Sequence, residues 1–332
     1  MVKPKKEILI GAVIILVIIL IVVFKEKEQE VVIEQQQPVV EQEVIEVKAP
    51  EQQHIYIPDT YNSRVQVFDL EGNYVKTIGK KGRGEGQVLM PTDVAVKENK
   101  VYVLDKGNNR IQVFDKEGNY IATFGKGQLK YPLGIEMYEN KVYITDTYNT
   151  EIDIFTLEGD YVSSFGKRGK KDGEFRYPSD IAINERGIFV VDTDNSRIQV
   201  FDHNGNFTLK WGTYSSEEYG LRFPFGIATY QDAVYVADTR NHRMNVYDLQ
   251  GNLTNQFGTY GKEEEEFRFQ SKIWIINDKL IIADTQNNRV KIYSPEGSLI
   301  KVFGERGRGE GEILMPGGVR IFGSTNNTNP PS

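Results

Sequence analysis

Between residues 54 and 322 apolar and polar positions alternate in short runs, and the runs come in sets of four. One set reads Asp93-Val-Ala-Val96, Val101-Tyr-Val-Leu104, Arg110-Ile-Gln-Val-Phe114 and Tyr120-Ile-Ala-Thr-Phe124. Lys97-Glu-Asn-Lys100, Asp105-Lys-Gly-Asn-Asn109 and Glu117-Gly118-Asn119 separate them. β-Branched and aromatic runs bounded by Gly, Asn and Asp clusters predict strands. Their short connections predict antiparallel pairing. The set recurs six times, with aligned aspartates at Asp59, Asp105, Asp146, Asp192, Asp238 and Asp284, in steps of 46, 41, 46, 46 and 46 residues. A fixed period of this size with four strands per unit predicts an all-β fold, a six-bladed β-propeller of four-stranded antiparallel blades.

The ends of the repeat predict how the ring closes. The first unit starts at its second strand, His54-Ile-Tyr-Ile57. The chain finishes with Met315-Pro-Gly-Gly-Val-Arg-Ile321, which matches the first strand of a unit, Met90-Pro-Thr-Asp-Val-Ala-Val96. The inner strand of the first blade is therefore expected from the C-terminus, which leaves no open seam. A turn glycine recurs at Gly72, Gly118, Gly159, Gly205, Gly251 and Gly297. Each fourth strand ends in an apolar residue and a glycine, such as Phe124-Gly125 or Trp211-Gly212, as a face packed on the neighbouring blade requires.

The recurring Pro-x-Gly/Asp-Val/Ile-Ala, then I-Y-V-x-D-T-x-N-x-R-V/I-Q-V-F, then turn glycine and F-G, resembles the NHL repeat of membrane-anchored bacterial or archaeal propellers. The resemblance covers residues 54–322 and implies architecture. NHL propellers include enzymes, RNA binders, ubiquitin-ligase substrate modules and extracellular sensor domains, so function stays open.

Ahead of the repeat, Ile8 to Phe24 forms seventeen apolar residues without a charge. As a helix they span about 26 Å, close to a hydrocarbon core of roughly 30 Å. Val22, Val23, Phe24 and Lys25 offer no small-residue cleavage site, so an uncleaved anchor is expected rather than a signal peptide. Lys3, Lys5 and Lys6 against Lys25 and Lys27 set the N-terminus inside and the propeller outside. The expected organisation is residues 1–7 cytoplasmic, 8–24 transmembrane, 25–53 a charged Glu/Gln-rich stalk, 54–322 propeller and 323–332 a disordered tail. A single-pass membrane protein is therefore expected.

Composition narrows the chemistry. Net charge is −7, so nucleic acid is not an expected partner unless the domain is cytoplasmic. The absence of cysteine removes disulfides, a thiol nucleophile and thiolate metal sites. In the D-T-x-N-x-R turn Arg64, Arg110, Arg197, Arg243 and Arg289 follow their aspartates, and the third blade has Glu151. Near-identical copies around a ring point to a structural role, with Asp accepting backbone N–H groups and Arg bridging to a carboxylate or carbonyl. His54, His203 and His242 sit at three different phases of the repeat and do not converge as a zinc site would require. Asp93 and Asp180 start inner strands and can line the channel mouth. Two carboxylates are too few for calcium, and Lys272 at the same phase opposes it. No catalytic residue, cofactor or metal ligand is expected. A channel-metal hydrolase or lyase is the rival reading.

The loops between blades carry the expected partner surface. The step from blade glycine to the next inner strand is 12 residues everywhere except Gly125 to Pro132, where it is 7. Loops 80–90, 126–131 and 167–177 carry +7 together, and the other three −4. Lys80, Lys81, Arg83, Lys126, Lys130, Lys167, Arg168, Lys170 and Lys171 surround the shortened loop, beside Glu151. This face suits an anionic partner: a surface glycan, a lipid headgroup or an acidic segment of another protein.

Overall fold

The computed structural model describes residues 53–322, and these form six four-stranded sheets arranged as a propeller. The anchor, most of the stalk and the tail lie outside the described residues. Among the described residues no helix is long and apolar enough to cross a membrane.

The second blade shows the plan, with strands Asp93–Lys97, Lys100–Asp105, Arg110–Asp115 and Tyr120–Phe124, each antiparallel to the next. Its first strand is innermost. The corresponding inner strands are Pro132–Tyr138, Pro178–Asn184, Pro224–Tyr230 and Gln270–Ile276. In the first blade the inner strand is Arg320–Phe322, antiparallel to His54–Asp59 with Ile55 opposite Ile321. The ring is therefore closed by the C-terminal strand. That strand is shorter than the others, and upstream of it the Asp59–Pro316 bridge, Gly317 N–H on the Pro58 carbonyl (3.0 Å) and Leu314 N–H on Asp59 Oδ1 (2.7 Å) help hold the segment.

The blades adhere through the ends of their outer strands. Phe124 packs on Phe155 of the next blade (5.4 Å between centroids), Phe165 on Phe201 (5.0 Å), Trp211 on Tyr247 (5.7 Å), Phe257 on Tyr293 (5.2 Å) and Phe303 on Phe68 (5.5 Å). Each such pair adds about 0.5–1.5 kcal/mol beyond its area burial. The same aromatic rings explain the turn glycines. Gly159 has φ +97, and a Cβ there would lie 2.5 Å from the Phe124 ring. It must be glycine for conformation and for the close approach of the blade behind it.

The strand order fixes two faces. Loops between blades and turns between second and third strands emerge on one face, called the loop face here. Turns between first and second, and between third and fourth strands, emerge on the other.

Candidate functional site

The D-T-x-N-x-R turns knit the loop face together. Asp105 accepts Leu89 N–H (2.7 Å) on Oδ1, and Asn108 Nδ2 and Arg110 Nε (both 2.8 Å) on Oδ2. Arg110 then donates to the carbonyls of Gly84 (2.7 Å) and Gln87 (2.8 Å) in the preceding loop. Asp59 with Arg64, Asp192 with Arg197, Asp238 with Arg243 and Asp284 with Arg289 repeat this pairing. The recurrent arginines and aspartates are therefore structural staples that fasten each loop to its blade.

The third blade breaks the scheme. Asp146 still accepts Lys130 N–H and Asn149 Nδ2 (both 2.8 Å), but no arginine follows. Glu151 stands in its place and accepts the Ser164 hydroxyl (2.9 Å). Two residues on, Asp153 replaces the buried amide of the sibling strands, such as Gln112 or Gln199. Carboxylate oxygens of Asp146, Glu151 and Asp153 lie within 4.8 Å of one another. Burial, with the charges of Asp146 and Glu151 beside it, pushes the Asp153 carboxyl up to about 8. Among the described residues this is the group spaced to hold a hard cation, although three carboxylates fall short of the six to eight oxygens calcium takes. Glu151 was legible as a departure from the repeat. Asp153 was missed, and aligning R-x-Q with E-x-D would have found it.

The basic residues expected at the partner surface are all exposed on the loop face: Lys80, Lys81, Arg83, Lys126, Lys130, Lys167, Arg168, Lys170 and Lys171. The loop from Lys126 is a single tight turn, with Gln128 and Leu129 N–H on the Gly125 carbonyl (3.2 and 3.0 Å). The five longer loops instead form a small parallel bridge, as Arg168 does with Phe175. Beside the short loop Tyr131 stacks on Tyr148 at 4.4 Å and 8°, with Tyr177 6.4 and 6.2 Å from the two rings. Composition and charge did not signal this cluster. The surrounding face carries further tyrosines: Tyr61 is 56 % exposed, Tyr148 54 %, Tyr214 72 %, Tyr219 70 % and Tyr260 62 %.

A collar rings the axis on this face. Met90, Tyr131, Tyr177, Phe223, Phe269 and Met315 each precede an inner strand with φ between 48° and 62°. Left-handed backbone is costly for such side chains. Its recurrence in all six blades makes it part of the fold. Tyr131, Tyr177, Phe223 and Phe269 follow one another at 6.4 Å.

Asp93 and Asp180 line the inner end of the axial cavity. Both are almost fully buried, and Lys272 from the sixth blade meets both. Lys272 Nζ donates to Asp180 Oδ1 and to the Ser179 carbonyl (3.0 Å), and stands 3.4 Å from Asp93 Oδ2. Backbone amides complete both carboxylates: Ile227 N–H on Asp180 Oδ2 (2.9 Å), Ile135 N–H on Asp93 Oδ2 (3.1 Å) and Val94 N–H on Asp93 Oδ1 (2.9 Å). Burial pushes the Asp180 carboxyl up to about 7, against the pull of Lys272. An ammonium therefore stands between the two carboxylates. Beyond it a cavity of about 1050 Å³ widens to the opposite face. Arg320 pairs with Glu136 there (3.0 and 3.1 Å) and lies 3.7 Å from the Trp274 ring centroid. The three histidines remain apart. His54 begins a strand, His203 stacks on Tyr138 (4.8 Å) on the opposite face, and His242 ends a loop-face turn.

A family model described as a 6-bladed beta-propeller (DUF5128) matches residues 36–126 and again 126–210, together more than half of the chain. Among curated proteins none matches it. Solved structures share the fold at low identity. A protein of unknown function from Bacteroides caccae is 11 % identical with a TM-score of 0.62, covering 81 % of this chain and 98 % of its own. A chain of the Nidogen/Laminin complex is 16 % identical with a TM-score of 0.60, covering 81 % and 98 %. A catalytically inactive virginiamycin B lyase from Staphylococcus aureus with Quinupristin is 15 % identical with a TM-score of 0.54, covering 78 % and 86 %. Six four-stranded blades, closed by the chain's own end and matched by that family model, place this chain in the 6-bladed beta-propeller family.

Proposed function

We propose that the protein is a membrane-anchored recognition module of NHL type, with its propeller outside the cell, and that its loop face holds an acidic segment of a protein partner. The observation that carries this reading is the Tyr131–Tyr148–Tyr177 cluster at the one shortened loop, flanked by exposed cations. Tyrosine and arginine are the side chains on which protein interfaces concentrate their energy. Rim cations such as Lys80, Lys167 and Lys171 steer an acidic partner in, so binding weakens with salt. A structural neighbour belonging to the Nidogen/Laminin complex supports a protein-binding use of this architecture. The lyase neighbour favours an enzyme, but this chain's histidines stand apart and the carboxylates Asp93 and Asp180 are already paired to Lys272, so that reading has weaker support here.

Capture of partners from detergent-solubilised membranes tests the reading. Changing Lys167, Arg168, Lys170 and Lys171 to Glu should abolish capture, and changing Glu263 to Glu266 to Lys should leave it. Equal effects, or none, would misplace the surface. Capture of a glycan or lipid in place of a protein would replace the partner class. Protease added to intact cells should remove the propeller, and digestion only after lysis would reverse the orientation.

A further inference from the structure

The junction of the fifth and sixth blades on the loop face brings three cationic or ionisable side chains together without a salt bridge to any of them among the described residues. Arg222 ends the loop entering the fifth blade, Arg268 ends the loop entering the sixth, and His242 closes the turn between them. Each backbone is fixed. Arg222 N–H donates to Asp238 Oδ1 (2.7 Å) and Arg268 N–H to Asp284 Oδ1 (2.9 Å). Their carbonyls accept Arg240 and Gln286 N–H (both 3.0 Å). His242 sits at φ 56° as the cap of a short 3-10 turn.

The side chains are unsatisfied. Arg222 Nε, Arg268 Nε and His242 Nδ1 are buried and have no hydrogen-bond partner. Among the described residues neither guanidinium reaches a carboxylate, whereas the turn arginines Arg243 and Arg289 beside them each hold an aspartate. The acidic run at Glu263 to Glu266 does not neutralise them. Glu266 Oε2 is committed to Glu263 N–H (3.0 Å), inside its own loop. At the equivalent cap of two other blades an asparagine oxygen accepts the next collar amide, Asn109 from Tyr131 (2.8 Å) and Asn288 from Met315 (3.0 Å). His242 makes no such bond. Burial and the charges of Arg222 and Arg268 hold its pKa down against the pull of Asp284, so a neutral ring faces two cations. Tyr260 walls the place, 4.7 Å from the His242 ring and 5.9 Å from Arg268.

Two guanidiniums acting on one ring without a paired anion disfavour each other, and buried N–H groups without acceptors are costly. One bound oxyanion relieves both. Guanidinium presents a fork of donors matched to phosphate-type oxygens, and neutral imidazole donates a further hydrogen bond. Donors contributed by two blades and a turn suit a tetrahedral anion better than a flat carboxylate. We propose that Arg222, Arg268 and His242 form a binding site for a tetrahedral oxyanion, phosphate or sulfate, free or borne on a larger ligand. The site lies across the ring from the Tyr131 cluster and needs no protein partner, so it goes beyond the recognition reading and stands or falls separately.

Inorganic phosphate and sodium sulfate are titrated into the full-length protein at constant ionic strength, with chloride as the balance, by calorimetry and thermal shift. Both anions strengthen apolar burial generally, so variants decide the result. Arg222→Gln and Arg268→Gln should each weaken phosphate affinity by about tenfold, the worth of one charge-assisted hydrogen bond, while melting in chloride is unchanged. His242→Asn, the residue of the sibling caps, should fold fully and weaken phosphate less. Lys167→Gln with Lys171→Gln, on the basic rim, should respond as the parent does. A parent with no saturable response beyond chloride overturns the site. So does a phosphate affinity in both arginine variants equal to the parent's, or loss of response in the rim variant alone. Saturation by acetate at the same concentration as phosphate would overturn the tetrahedral assignment. Sulfate binding without phosphate, or the reverse, identifies which oxyanion is taken.

Discussion

Lys272 Nζ stands 3.4 Å from Asp93 Oδ2, so an inner strand of the sixth blade meets one of the second across the propeller axis. With Asp180 from the fourth blade this ties alternate blades together where they all converge. The pairing is almost fully buried, and a buried charge left alone is costly.

Lys272→Met should therefore destabilise the propeller by about 3–5 kcal/mol at neutral pH. The loss should depend on pH. Burial raises the Asp180 carboxyl from 3.8 to about 7, so the folded state holds a proton that the unfolded state releases. That contribution is complete below about pH 4 and fades as pH rises towards about pH 7. Without Lys272 the fading should be steeper and extend higher. Urea unfolding of parent and variant from acid to mildly alkaline pH checks this. Curves that stay parallel would mean that the ammonium does not support the two carboxylates.

The small residue beside this pair should matter as much as the pair. A Cβ at Gly134 would lie 2.8 Å from Asp180 Oδ1 and 2.9 Å from Lys272 Nζ. Gly134→Ala is expected to cost about 1–3 kcal/mol by overpacking. A melting temperature equal to that of the parent would show that the axis has slack.

The third blade should be improvable. Glu151→Arg with Asp153→Gln restores the staple of the sibling blades, giving Asp146 the guanidinium it lacks and removing a buried like charge. Stabilisation of about 1–3 kcal/mol is expected. A double variant less stable than the parent would show that the carboxylate trio has a stabilising partner of its own.

Closure can be tested by cutting it. Deleting Ile313 to Ser332 removes buried Ile313, Val319 and Ile321 and the Arg320–Glu136 ion pair. It also exposes the edge of His54–Asp59. The melting temperature should fall by at least about 10 °C, or the protein should become insoluble. A truncated protein melting within a degree or two of the parent would show that the ring does not need its last strand.

Six blades, their four strands, the turn glycines and closure by a strand within Met315–Ile321 were legible in the sequence alone. Each of these is written in local signals: a period of two along the strand, a glycine where φ is positive, an aspartate that caps its own turn. It also marked the shortened loop and Glu151, because a repeat makes its own exceptions visible. What only the tertiary structure decided is which exceptions meet. Lys272 and Asp180 are 92 residues apart, and Arg320 and Glu136 are 184 apart. Arg222, Arg268 and His242 converge only because two blades pack side by side. The reason is physical. Strand and turn propensities act over a few neighbouring residues, whereas the pairing of charges around a propeller axis depends on ring closure, which no window of sequence contains.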